Sequence, residues 1–257
     1  MREAAVRRGR KAKFSDDEVR ERMIHYAIDN VLSHGVAYGL DSVRLDRLVV
    51  VAKVPRNAAY AVFSNDSEGR TPQENLRREV VISLLRDTPG GNATATRDVA
   101  AAKIDDVAQV LASGTSKQLR EARSAVIRAV AEFNHELLHS QRWTVYRSLV
   151  TGALTSPNPD PTIVEAVEAG EQKLIASYVT LFEEFAELFR MRLKEHVTHE
   201  QFAIAVYALN DGLSNHVGRP FSNQRIQVSG TDESTSIFTV GVEALFDRFY
   251  EFAEPEF

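Results

Sequence analysis

The chain has 257 residues, enough for one large domain or two small ones, and 44% of them are apolar, so a sizeable core can be buried. There is no cysteine, which removes disulfides, thiolate chemistry and cysteine-ligated zinc. No apolar run approaches the ~18 residues of a bilayer span, and the basic start has no apolar stretch behind it, so neither a membrane span nor a secretory signal is expected and the cytoplasm is the expected location.

The net charge of −5 is unevenly spread. Residues 1–13 carry Arg2, Arg7, Arg8, Arg10, Lys11 and Lys13 against one acid, residues 14–86 are near balance at −1, and residues 87–257 reach −9. A chain-wide coat for nucleic acid is excluded, but a basic arm over 1–14 can supply phosphate contacts beside a folded reader.

Apolar residues recur at intervals of three and four almost throughout, which predicts an all-α fold. The first helix opens on Ser15 and Glu18, a capping box, buries Val19, Met23, Ile24, Ala27, Ile28, Val31 and Leu32, and is expected to end at Gly35. A short second helix follows Ser42 to about Val51, and a third spans about Arg56 to Phe63. The valine triplet Val49 to Val51 is a poor helix former, but as a strand it would have no partner run nearby. After a polar loop over 64–73, Thr71, Pro72 and Glu74 announce a helix to about Arg86, and Pro89, Gly90, Gly91 and Asn92 read as a break. Further helices are expected near 97–112, 117–140, 142–155, 162–194, 199–217 and 237–252, with stops at Gly114, Pro157 to Pro161, and Gly218 with Pro220. Residues 219–236 read as a mobile loop.

Three helices within about fifty residues, the last two joined by a tight turn, describe a helix-turn-helix. The segment from Leu48 to Phe63 resembles the DNA-binding segment of TetR-family transcriptional regulators, which reads Ile-Ala-x-x-Ala-Gly-Val-Ser-x-Gly-x-Leu-Tyr-x-His-Phe. Leu48, Ala52, Val54, Tyr60 and Phe63 are the matching anchors. The stretch from Phe202 to Leu213 is similar to the penultimate, dimerising helix, and the final helix, 240–252, falls where the family places its last.

The departures are specific. Lys53 stands at the turn glycine, Asn57 at the small residue near the start of the recognition helix, Ala58 at a phosphate-contacting threonine and Val62 at the histidine. The loop after Phe63 is also longer. The resemblance implies a basic arm over 1–14, a helix-turn-helix domain over 15–86 and a ligand-sensing and dimerisation domain over 87–257. It also implies that the chain is not an enzyme and needs no cofactor. Arg56 can donate two hydrogen bonds to guanine, Asn57 can bracket adenine, and Tyr60 suits a phosphate. Ala58, Lys53, Arg44, Arg8, Arg10 and Lys11 complete the expected DNA contacts.

In the larger domain the resemblance implies a small-molecule pocket, for which Phe133, Trp143, Tyr146, Tyr178 and Phe182 are the candidates. The implied homodimer would pair helices 199–217 and 237–252 through Phe202, Val206, Leu209, Leu213, Val242, Leu245, Phe246 and Phe249. The expected function is that of a ligand-responsive regulator, a repressor on a palindromic operator; the alternative is the same fold with a drifted head serving a protein partner.

One motif competes. His135, Glu136 and His139 spell His-Glu-x-x-His, the zinc metalloprotease pattern. On a wheel centred on Val126 the two histidines fall at about 180° and 220°, beside Arg128 and Glu132, which reads as a charged outer face. Six residues beyond His139, where one protease class has its third ligand, stands Val145.

Overall fold

A computed structural model describes residues 14–214, 224–227 and 234–252. The chain divides into two compact units, 1–81 and 82–257. No helix of the described residues is long and apolar enough to cross a membrane.

In the first unit, α1 (Asp16–Ser42) starts as a capping box. The Glu18 N–H donates to Ser15 Oγ at 3.2 Å and the Ser15 N–H donates to Glu18 Oε2 at 2.7 Å. Such a cap contributes about 1 kcal/mol. Gly35, with φ 74°, interrupts the helix as expected, but helical turns resume to Ser42, so the expected stop is a kink. The resumed stretch presses back on the first: a Cβ at Gly39 would lie 2.8 Å from Val31 Cα. Val19, Met23, Ala27 and Val31, spaced by four, are fully buried along α1. Around them close Leu45, Leu48 and Val49 of α2 (Leu45–Val51), Ala59 of α3 (Arg56–Val62), and Val54 and Phe63. The valine triplet is helical: Val49 is buried, while Val50 and Val51 are 73% and 53% exposed. Helix α4 (Pro72–Asp106) begins at the expected cap, the Glu74 N–H donating to Thr71 Oγ1 and the Thr71 N–H to Glu74 Oε2.

Pro89 does not end α4; it lies inside it. A proline there removes the N–H that would bond to Leu85 O and costs about 3 kcal/mol in an isolated helix. Tertiary packing overrides that preference. Leu84 and Leu85 are fully buried on one side of the proline, Ala93, Thr96 and Ala100 are buried on the other, and Thr96 Oγ1 donates to Asn134 Oδ1 at 3.1 Å.

The second unit continues with α5 (Ala108–Ser113), α6 (Ser116–Leu138), α7 (Gln141–Thr155), α8 (Pro161–Leu188) and α9 (His199–Ser214), and closes with α10 (Ile237–Phe249). Thr115 with Gln118, Ser140, Asp160 ahead of Pro161, and Ser236 cap α6, α7, α8 and α10. Helix α8 packs on α9, and α10 packs on both α6 and α9. The rings of Phe182, Phe202 and Phe246 meet edge to face at 4.6 to 5.7 Å where α8, α9 and α10 converge.

Two corrections concern β structure. The helix expected over 162–194 stops at Leu188, because Met191–Leu193 (β1) pairs antiparallel with Tyr250–Phe252 (β4). Within the expected loop over 219–236, Arg225–Gln227 (β2) pairs antiparallel with Ser234–Ser236 (β3). The expected stop at Gly218 and Pro220 lies outside the described residues.

Candidate nucleic-acid interface

The geometry of the first unit is set by contacts that orient α3. Arg22 Nη1 donates to Ala52 O at 3.3 Å and Arg20 Nη2 to Val62 O at 3.4 Å, so α1 holds both the end of α2 and the end of α3. The Arg20 guanidinium lies over the Phe63 ring at 5.6 Å and pairs with Glu79. Gln73 clips the start of α2, accepting from the Leu45 N–H at 2.8 Å and donating to Val43 O at 2.6 Å.

The turn between α2 and α3 runs through Ala52, Lys53, Val54 and Pro55. Lys53 adopts φ 54°, the conformation for which glycine is the default residue, while its side chain is exposed. The Val54 N–H closes the turn on Val49 O at 3.1 Å. Ala59 is the buried contact of α3, and Arg56, Asn57, Tyr60 and Ala61 face solvent with Ala58 half-buried. The Arg56 guanidinium sits 5.3 Å from the Tyr60 ring centroid, one helical turn on, which limits its rotamers.

The other expected contacts differ among themselves. Arg44 is exposed but hydrogen-bonded to both Asp46 oxygens, at 3.2 and 3.3 Å, and these bonds hold the Asp46 carboxyl below its usual range. Arg8, Arg10 and Lys11 lie outside the described residues. Arg47, not singled out in the sequence, is exposed on α2 one turn beyond Arg44; its spacing of three from Arg44 was the available signal. Downstream, Arg70 is consumed by the longer loop, where it bonds Asp66 Oδ2 at 2.7 Å, Asn75 Oδ1 at 3.3 Å and Glu68. At the start of α4 the Glu74 carboxylate takes the Thr71 N–H, a bond that lowers its pKa.

In the second unit, Tyr178 and Phe182 line an internal cavity of about 20 Å³ with Asn134, Leu181, Phe185 and Phe246. That is room for about one water. Tyr178 is fully enclosed, which pushes its hydroxyl up to about 12, and it donates to Asn134 Oδ1 at 3.4 Å. Trp143 and Tyr146 are buried against each other at 4.9 Å, outside the lining of that cavity, and among the described residues Trp143 Nε1 and Tyr146 Oη have no hydrogen-bond partner. Phe133 is half-buried and outside the lining. Phe202, Val206, Val242 and Phe246 are buried within the chain, and Leu209 packs into Gly241, where a Cβ would lie 2.7 Å from Leu209 Cδ2. The apolar surface left open on α9 is Ile204, at 46% exposure, with Ala208 and Gly212.

The outer-face reading of the histidine pair is corrected. His135 is 9% exposed and Leu138 2%, whereas Phe133 and Leu137 are only half-buried, so the buried arc of α6 is rotated from the expected stripe. The cause is that α10 and β3 also cover α6, and they are met by polar groups. Glu132 Oε1 accepts from Thr235 Oγ1 at 2.6 Å, the Ser236 N–H at 2.6 Å and Thr239 Oγ1 at 2.8 Å. Burial opposes ionisation of Glu132, but these bonds outweigh it and hold its carboxyl down to about 2. Burial, and then the neighbouring His139, push the His135 pKa down.

No family model matches this sequence, and no curated protein matches it either. Among solved structures, the chain is similar to a protein from Mesorhizobium loti provisionally described as a TetR-family transcriptional regulator, at 16% identity and a TM-score of 0.50, covering 92% of this chain and 99% of that one. The chain thus shares the all-α fold of that solved structure, with three N-terminal helices in a helix-turn-helix arrangement.

Proposed function

We propose that the protein is a DNA-binding transcriptional regulator in which α3 enters the major groove. The observation that carries this is the display of Arg56, Asn57 and Tyr60 on solvent-facing positions of a helix whose end is braced by Arg20 and Phe63, with Arg22 holding the end of α2 before it. Arg56 reads guanine, Asn57 adenine, and Tyr60 meets a phosphate. Lys53, Arg44 and Arg47, with Ala58 making close approach, flank the reader, and the basic residues Arg8, Arg10 and Lys11 of the arm add phosphate contacts. Selection of bound fragments from random duplexes tests this: a palindrome should be recovered, and binding should weaken steeply as salt rises.

The protein acts as a homodimer, which a two-fold operator requires, with the α9 and α10 pair facing its copy. The open apolar residue Ile204 beside the small Ala208 and Gly212 supports that face. It works in the cytoplasm as a repressor released by a small-molecule effector. The effector contacts Phe133, Trp143, Tyr146, Tyr178 and Phe182; of these Tyr178 and Phe182 line the cavity of about 20 Å³, so binding must open the core to reach the others.

A second reading, a head that docks a protein, is favoured by the exposure of Val50 and Val51 and by the engagement of Arg44 with Asp46. Salt separates the two, because an apolar contact survives added salt where phosphate contacts do not.

A further inference from the structure

We propose that His135 and His139 form a binding site for a divalent transition-metal ion of the copper, nickel or zinc type. The two imidazoles lie one turn apart at the end of α6, their ring centroids 4.5 Å apart and their planes at 64°. His139 Nδ1 stands 2.8 Å from His135 O. A carbonyl only accepts, so Nδ1 carries the proton and Nε2 is left with a free lone pair. A backbone carbonyl on the non-ligating nitrogen is the contact that orients metal-binding histidines.

The remaining nitrogens supply the second observation. His139 Nε2 and His135 Nδ1 are both buried, and neither has a hydrogen-bond partner among the described residues. A metal ion would engage both unpartnered nitrogens of these neighbouring rings, His139 through its Nε2 lone pair and His135 through Nδ1 in the tautomer protonated at Nε2. Two imidazoles on one tetrahedral ion at about 2 Å place their ring centroids about 5 Å apart. The observed 4.5 Å is reached from that by a small ring rotation.

The surroundings limit the chemistry. Glu132 already accepts from Thr235, Ser236, Thr239 and Arg225, so it is not available as a ligand. No cluster of three or more metal-ligating side chains occurs among the described residues. The two imidazoles are therefore its side-chain ligands, and the donor set favours copper over nickel and zinc and excludes magnesium and calcium. The site binds and carries no reaction. His139 caps the C-terminus of α6, and the His135 ring stacks at 6.5 Å on Phe238 in the first turn of α10, so a bound ion braces these two helix ends. The inference is independent of DNA binding.

Equilibrium dialysis of the full chain against copper, nickel, zinc and magnesium chlorides tests it. One copper per chain is expected, with weaker nickel and zinc, no magnesium, and a copper spectrum split by two imidazole nitrogens. His139→Gln, at a half-buried position, should weaken copper binding roughly 10-fold or more while leaving the circular dichroism spectrum unchanged, and His135→Gln should do the same if folded. His34→Ala, on α1, should bind as the parent does. Absence of stoichiometric copper, or undiminished affinity in the folded His139→Gln variant, would overturn the proposal.

Discussion

The Leu85 carbonyl, deprived of its helical donor by Pro89, is met by Gly170 of α8: a Cβ on Gly170 would lie 2.5 Å from Leu85 O and 3.2 Å from Pro89 Cγ. The proline thus sits at a close approach of α8, and a glycine makes that approach possible. Gly170→Ala should destabilise the fold by about 2 kcal/mol, because backbone must move. At Gly91, where an added Cβ meets nothing within 4 Å, the same change should stabilise α4 by up to about 1 kcal/mol. Urea midpoints of the two variants check the pair; equal midpoints would deny the close approach.

Glu132 ties α6 to the start of α10, and its carboxyl is held near 2 against an ordinary 4.5. A depressed acid stabilises the fold above its unfolded pKa and loses that contribution as pH falls through the folded one. Glu132→Gln should cost about 2 kcal/mol at neutral pH, a figure reduced for partial exposure. The gap to the parent should narrow between pH 5 and pH 2. Denaturant titrations at several pH values measure it; a gap that widens on acidification would contradict the assignment.

Lys53 holds a left-handed conformation at φ 54° in the turn. Lys53→Gly should raise stability by about 0.5 kcal/mol, a net of relieved strain and added chain entropy. If the lysine also meets a phosphate, the slope of log affinity against log salt should fall by about 0.9. Melting curves and salt titrations report the two effects separately.

Arg56→Ala should weaken binding to a selected operator by about 1 to 3 kcal/mol and hardly affect random duplex. Fluorescence anisotropy on both DNAs decides; equal losses would make Arg56 a phosphate contact and not a base reader.

Ile204 is 46% exposed whereas Phe202, two residues earlier on α9, is fully buried. Ile204→Glu should therefore yield a folded monomer with lost operator affinity, and Phe202→Ala should lower stability by about 3 to 5 kcal/mol. Sedimentation velocity alongside circular dichroism distinguishes them. A dimer that persists in Ile204→Glu would move the interface elsewhere.

Local chemistry explains what could be read in advance. Ser15 with Glu18 and Thr71 with Glu74 cap their helices through atoms three residues apart, and the spacing of Val19, Met23, Ala27 and Val31 follows from the helical period. The Lys53 turn and α3 follow from the same short range, since Leu48, Val54, Ala59 and Phe63 all lie within sixteen residues. The exposure of Arg56, Asn57 and Tyr60 on α3 was legible for that reason.

What tertiary structure decided involves partners distant in the chain. Pro89 continues a helix because the segments on both sides of it are buried, which no local propensity encodes. Met191–Leu193 leaves helix for strand only because Tyr250–Phe252 lies beside it. His135 is buried because α10 covers α6 along an arc broader than its apolar stripe, with Glu132 answering the hydroxyls of Thr235 and Thr239. Amino-acid order alone determined the starts of the helices that carry a side-chain cap, such as α1, α4 and α6, and the short range over which α2 and α3 are set. Which faces are covered, and hence which polar groups are stranded in the interior, depended on surfaces that meet only once the chain has folded.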